Sequence, residues 1–127
     1  MIVAGIGCRK GISAADVEAA IEAAFLPALV GSRRLDLIAA PALKAEPAIR
    51  DAAAARGLRL MWIPQSDLEA AGPRTLTYSA RSMQAMNVPS VAEAAALAAA
   101  GPQGRLLAPR VAVGPVTCAL AEGEVSP

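Results

Sequence analysis

Near the start of the chain, Gly5, Gly7, Cys8, Arg9, Lys10, Gly11 and Ser13 crowd into one short stretch with the densest chemistry of the sequence. Glycines let a backbone turn sharply and approach a ligand closely. Ser13 opens a helix, so the residues before it present unpaired N–H groups at the positive end of a helix dipole. Arg9 and Lys10 add two cations. Together these features make an anion cradle; the alternative is a plain glycine turn with two solvated cations. Cys8 stands in the same loop. Flanking cations and a helix N-terminus lower a thiol pKa and favour the nucleophilic thiolate, whereas the plainer reading is a small apolar filler. The spacing is not a dinucleotide fingerprint. Gly5-x-Gly7-x-x-Lys10-Gly11 brings its third glycine one residue late, and Ala39-Ala40-Pro41 offers no acidic residue for a ribose. No Gly-Lys-Ser/Thr stands at P-loop spacing.

Further cations fall where other strands end. Lys44 and Glu46 follow the second expected strand, at the same carboxyl edge as the first loop. Lys44 can meet a substrate carboxylate or simply pair with Glu46. With Cys8, these two are the acid–base candidates, and no catalytic residue is assigned beyond them. Thr77, Tyr78, Ser79, Arg81 and Ser82 form a polar cluster that suits carboxylate recognition and equally suits turn and cap duties. Arg110, after the fourth strand, is one more candidate for a ligand carboxylate or a solvated hairpin residue. Cys118 reads as core. The chain contains no histidine. That removes the usual general base, the usual metal ligand and any Ser-His or Cys-His dyad. Two well-separated cysteines without histidine make no recognisable zinc site. No metal and no cofactor are expected.

A chain of 127 residues, 55% of them hydrophobic, is the size of one ordinary domain with one core. Much of that apolar fraction is alanine, so the core must come from close packing of helices on a sheet. The net charge of +1 and the sparse aromatics (Phe25, Trp62, Tyr78) argue against a nucleic-acid partner. The apolar N-terminus lacks a basic n-region and soon meets charge, so neither a signal segment nor a lipidated Cys8 is expected. The longest apolar stretch contains Glu93 and is too short to span a bilayer. Two cysteines make no disulfide framework. No membrane association and a cytoplasmic location are expected.

Five strands must position these residues. Residues 2–6 are a short β-branched run, followed by the glycine loop and a helix from Ser13 to about Phe25, with Val17, Ala20, Ile21 and Ala24 on one face. Residues 35–40 form the second strand, 48–56 a helix stopped by Gly57, and 58–63 the third strand. Residues 66–71 read as a short helix and 75–87 as irregular or partly helical. Ser90-Val91-Ala92-Glu93 is a capping box that opens an alanine-rich helix ending at Gly101. Residues 105–108 and 116–121 are the last strands, joined too closely for anything but an antiparallel hairpin. The pattern predicts a three-layer α/β/α sandwich around a mixed, mostly parallel five-stranded sheet that ends in a β-hairpin. One domain spans 1–121, and 122–127 is a tail.

Gly5-Ile6-Gly7-Cys8-Arg9-Lys10-Gly11-Ile12-Ser13 resembles the opening motif of the CobE/CbiG C-terminal family. Leu43-Lys44-Ala45-Glu46, Ser90-Val91-Ala92-Glu93-Ala94-Ala95-Ala96-Leu97 and Val116-Thr117-Cys118-Ala119-Leu120-Ala121 are similar to its later segments, in the same order. The resemblance implies the three-layer fold and a place in cobalamin biosynthesis. In larger CbiG proteins such a domain follows another, and the whole is a cobalt-precorrin-5A hydrolase. This chain begins at its first strand, so a stand-alone, CobE-like protein is expected. Gly114-Pro115 departs from the paired glycines common in the CbiG hairpin, which weakens transfer of the hydrolase activity. The implied partner is a precorrin or corrin intermediate, held by Gly5, Gly7, Cys8, Arg9, Lys10, Gly11, Ser13, Lys44, Ser79, Arg81 and Arg110. Corrin precursors are apolar rings fringed with carboxylates, which arginines can grip bidentately. Without histidine there is no axial ligand for cobalt, which favours a metal-free intermediate. Three roles fit: a binder or carrier, a pathway enzyme, or a structural partner of another pathway enzyme.

Overall fold

The fold is described from a computed structural model covering residues 1–31 and 33–123. Strand β1 (Ile2–Cys8) lies near the middle of one six-stranded sheet, with β2 (Leu37–Pro41) and β3 (Arg59–Ile63) on one side and β6 (Val116–Glu122) on the other. β4 (Arg105–Leu106) and β5 (Val111–Val113) both pair with the far edge of β6. β1, β2 and β3 pair in parallel, while β6 is antiparallel to β1, β4 and β5. Five of the six strands therefore point one way, and β6 alone runs against them.

The expected sheet is present with one strand more than the sequence suggested. Residues 105–108 were expected as one strand, but only Arg105–Leu106 are ladder residues, and Val111–Val113 form a separate short strand. The cause is a bulge. Arg105 pairs with Glu122 and Leu107 N–H still donates to Leu120 O, yet Val111 pairs with Cys118. The intervening residues loop out, as bulged strands do when they re-aim a side chain or a backbone group. β6 also runs through Glu122, one residue into the expected tail; residues 124–127 lie outside the described residues.

Helices cover both faces. α1 (Ala14–Ala28) begins with the capping box expected of Ser13: Asp16 N–H donates to Ser13 Oγ and Ser13 N–H to the Asp16 carboxylate. It buries Val17, Ala20, Ile21, Ala24 and Ala28 beside α2 (Pro47–Arg56), which Gly57 ends at φ 66°. Ile2, Ala4, Ile6, Ile38 and Ala40 face these two helices. The alternate residues Val3, Leu37 and Ala39 face α3 (Gln65–Ala71) and α5 (Val91–Ala100), as the two-residue period of a strand requires. A short helix, α4 (Ala80–Met86), fills part of the stretch expected to be irregular or partly helical.

Gly5 and Gly7 share the face of Val3, toward α5. A Cβ at Gly5 would run into the Ala92 carbonyl and stand 2.6 Å from Ala96 N. The missing side chain lets the α5 backbone lie directly on β1, and the buried alanines of α5 serve the same close approach. Among the described residues no helix is long and apolar enough to cross a membrane.

Candidate functional site

The parallel strands β1 and β2 end at Cys8 and Pro41. From β1 the chain moves to β2 on one side, while the returning chain adds β6 on the other. Such a switch point leaves a crevice at the carboxyl edge of an open α/β sheet. A cleft of about 230 Å³ opens there. Gly7, Cys8 and Arg9 form one part of its wall, and Lys44, from the 3-10 turn after β2, forms another. Ser79, Arg81 and Ser82 approach from α4, and Val91 from the first turn of α5. Arg110 and the β5–β6 turn at Gly114-Pro115 close the remaining side.

Seven of the eleven residues expected to hold the ligand thus border one cleft: Gly7, Cys8, Arg9, Lys44, Ser79, Arg81 and Arg110. Lys10, Gly11 and Ser13 stand outside its lining. Gly11 turns the chain at φ 76°, and Ser13 is occupied by its own capping box. Gly5 lies beneath α5. Glu46 stands at the N-cap position of α2 with no side-chain cap hydrogen bond and is not part of the wall, though its charge reaches Cys8. The Arg9 N–H donates to Pro115 O at 3.1 Å, so this amide fastens the β1 end to the hairpin. Side-chain cations, rather than loop amides, give the cleft its character. Arg9, Lys44, Arg81 and Arg110 converge on it, no Asp or Glu is in its lining, and none of the four joins an ion pair among the described residues.

Cys8 differs from its sequence expectation. It ends β1 instead of sitting in a loop, and it packs against the α1 side of the core. Burial, with the negative charge of Glu46, pushes its thiol up, and Lys44 opposes this only in part. The flanking cations do not produce a low-pKa thiol. Cys118 is wholly buried and is pushed up to about 12 by that burial. Both cysteines are free.

Glu93 is the residue whose part the sequence did not disclose. Ser90 does cap α5, its Oγ accepting from Glu93 N–H. The Glu93 carboxylate, however, does not complete the box. Its Oε1 accepts from the N–H groups of Leu76 at 2.6 Å and Thr77 at 2.9 Å. Its Oε2 accepts from Thr77 Oγ1 at 2.6 Å and Arg110 N–H at 2.9 Å. The side chain is fully buried. Burial alone would raise its pKa, but the hydrogen bonds from Thr77, Arg110 and Leu76 outweigh it and hold the carboxyl below its ordinary value. An S-x-x-E start followed by a hydrophobic helix gives no sign of these distant partners.

Sheet order, covered faces and a cleft at the switch point define a doubly wound α/β domain with a cationic crevice at its strand ends. Residues 2–121 match the family model described as cobalamin synthesis G C-terminus. The chain belongs to this family, and so to the proteins of cobalamin biosynthesis. Among solved structures, CobE, a protein from the cobalamin (vitamin B12) biosynthetic pathway, is similar at 30% identity and TM-score 0.86, covering 100% of this chain and 93% of that one. The cobalamin biosynthesis protein chiG from Agrobacterium tumefaciens str. C58 is 42% identical with TM-score 0.76, over 98% of this chain and 100% of its own. A cobalamin biosynthesis protein G homologue from Sulfolobus solfataricus shares the fold at 20% identity and TM-score 0.69, over 97% of this chain and 37% of its own. No curated protein matches the chain.

Proposed function

We propose that this protein binds a cobalt-free precorrin or corrin through the cleft at the end of β1, as a carrier within cobalamin biosynthesis. One observation carries the reading: four cations from four separate segments meet at a cleft wall that contains no acid. Like charges gathered along a wall that contains no acid repel one another, and a polycarboxylate relieves that repulsion. Arg9, Arg81 and Arg110 can each grip a carboxylate with two N–H groups, and Lys44 supplies a compact point charge. Pockets that enclose a drug-sized ligand usually measure about 300–1,000 Å³, and this cleft is smaller, at about 230 Å³. It therefore takes an acidic arm of the macrocycle, and the ring rests across the mouth.

Binding without turnover is favoured by the state of Cys8. A thiol pushed up by burial, in a chain with no histidine, is a poor nucleophile with no imidazole to deprotonate it. We place the protein in the cytoplasm, in keeping with two free thiols.

The test is a titration with hydrogenobyrinic acid, a cobalt-free corrin bearing several carboxylates, followed by absorption. The expected result is a saturable spectral shift at one equivalent with the corrin recovered unchanged. Its carboxyl-esterified form should not bind. Conversion of a precorrin at substoichiometric protein would replace the carrier reading by an enzymatic one. Absence of any shift, with co-elution of a pathway enzyme, would replace it by a structural partnership.

A further inference from the structure

We infer that Glu93 is the positioning residue of the cleft, holding Arg110 and the segment that leads to Ser79 and Arg81 at their working separation. This rests on the binding reading above and adds to it the residue that sets the site's geometry. Leu76 and Thr77 lie just ahead of Ser79 on one wall, and Arg110 stands on another. Both walls are tied to one buried carboxylate on the first turn of α5, where Val91 also borders the cleft. The tie to Arg110 depends on the β4–β5 bulge, which turns the Arg110 N–H inward to Glu93 Oε2 at 2.9 Å. A residue that only capped its helix would spend its carboxylate on the N-cap amide. Glu93 spends all four acceptances on groups outside α5.

The division of labour between the two oxygens allows a selective perturbation. In Glu93→Gln the amide oxygen can still accept from Leu76 and Thr77. The NH₂ group then takes the place of Oε2. It can donate to the Thr77 hydroxyl, which accepts as well as donates, but it meets the Arg110 N–H donor to donor. Glutamine therefore keeps one wall and releases the other.

The experiment is a double-mutant cycle read by the dissociation constant of hydrogenobyrinic acid. In the parent protein, Arg110→Ala should weaken binding about tenfold, as for a lost charge-assisted hydrogen bond. In the Glu93→Gln background the same change should weaken it by less than about threefold, because Arg110 is already displaced. Lys44→Ala should cost the same factor in both backgrounds. If Arg110→Ala costs its full factor in both, while Lys44→Ala and Arg110→Ala still matter individually, the positioning role is overturned and the binding site stands. If neither cation matters in the parent protein, the binding reading falls and this inference falls with it. Hydrogen exchange in the unaltered protein gives an independent check should Glu93→Gln not fold. The amides of Leu76, Thr77 and Arg110 should be protected together and gain protection in parallel on adding the corrin. An Arg110 amide exchanging as fast as in a free peptide would overturn the role outright.

Discussion

Replacing Gly5 by alanine adds one methyl group at the tightest contact between β1 and α5. Its carbon would collide with the Ala92 carbonyl oxygen and stand 2.6 Å from Ala96 N and 2.8 Å from Ala96 Cβ. The obstructing atoms belong mainly to helix backbone, which cannot rotate aside as a side-chain tip can. Relief requires the helix to lift, and α5 buries Ala92, Ala95, Ala96 and Leu97. Overpacking a close-fitted core costs about 1–3 kcal/mol and sometimes more; two backbone obstructions put Gly5→Ala near the top, at about 3 kcal/mol. With an unfolding entropy of about 2.1 cal/mol/K per residue, the melting temperature should fall by about 11 °C for a chain of 127 residues. Calorimetry measures this directly. Gly11→Ala is the control: its φ is 76° and an added Cβ meets nothing within 4 Å. It should pay only the left-handed backbone penalty, about 1 kcal/mol or 4 °C. If Gly5→Ala melts no lower than Gly11→Ala, α5 does not rest on bare β1 backbone.

Other expectations concern charge and reactivity. The Glu93 carboxyl is held below its ordinary value in the folded state, so its stabilisation is fully present above the unfolded carboxylate pKa of about 4.3 and is lost as pH falls through the lower folded value. Between about pH 6 and pH 3, denaturant midpoints should drop further for the parent than for Glu93→Gln; matching slopes would contradict this. Thr77→Val removes one hydroxyl donor from a buried carboxylate and should cost about 1.5–3 kcal/mol in urea unfolding. Alkylation of the native protein by iodoacetamide should occur at Cys8 alone, with a rate still climbing above about pH 8.5 because burial raises that thiol. A rate that levels off below neutral pH would restore the activated-thiolate reading.

Much of this architecture is legible in the residues themselves. Continuous apolar runs such as Leu37-Ile38-Ala39-Ala40 announce a strand covered on both faces, and that strand is buried throughout. Ser13, Gly57 and Ser90 mark helix ends because each supplies a backbone requirement that few residues meet. Local patterns mislead where they serve a distant contact. Gly7 and Cys8 suggest the start of a loop, yet β1 runs on to Cys8, and the two-residue period turns both Gly5 and Gly7 toward α5. Burial of Cys8 depends on the core behind it, which the neighbouring Arg9 and Lys10 do not reveal. The two-residue shift between β4 and β5 is set by pairing with β6, and no short window of sequence contains both partners. The cationic residues were recognisable one by one as strand-end candidates; their convergence is a property of topology.

The most direct measurement is a salt-dependent titration of hydrogenobyrinic acid against the parent protein and a variant carrying Arg9→Ala, Lys44→Ala, Arg81→Ala and Arg110→Ala together. Arg9 and Arg81 are exposed and Lys44 and Arg110 half-buried, and substitutions away from core contacts usually shift stability by about 0.5 kcal/mol or less, so an unchanged circular dichroism spectrum should show that the variant is folded. Affinity of the parent should fall as ionic strength rises from about 0.05 M to about 0.5 M, where screening shortens the reach of its charges. The variant should bind at least about a hundredfold more weakly, the product of several lost charge-assisted contacts. Equal affinity in the two proteins, or binding indifferent to salt, would contradict a carboxylate site in this cleft.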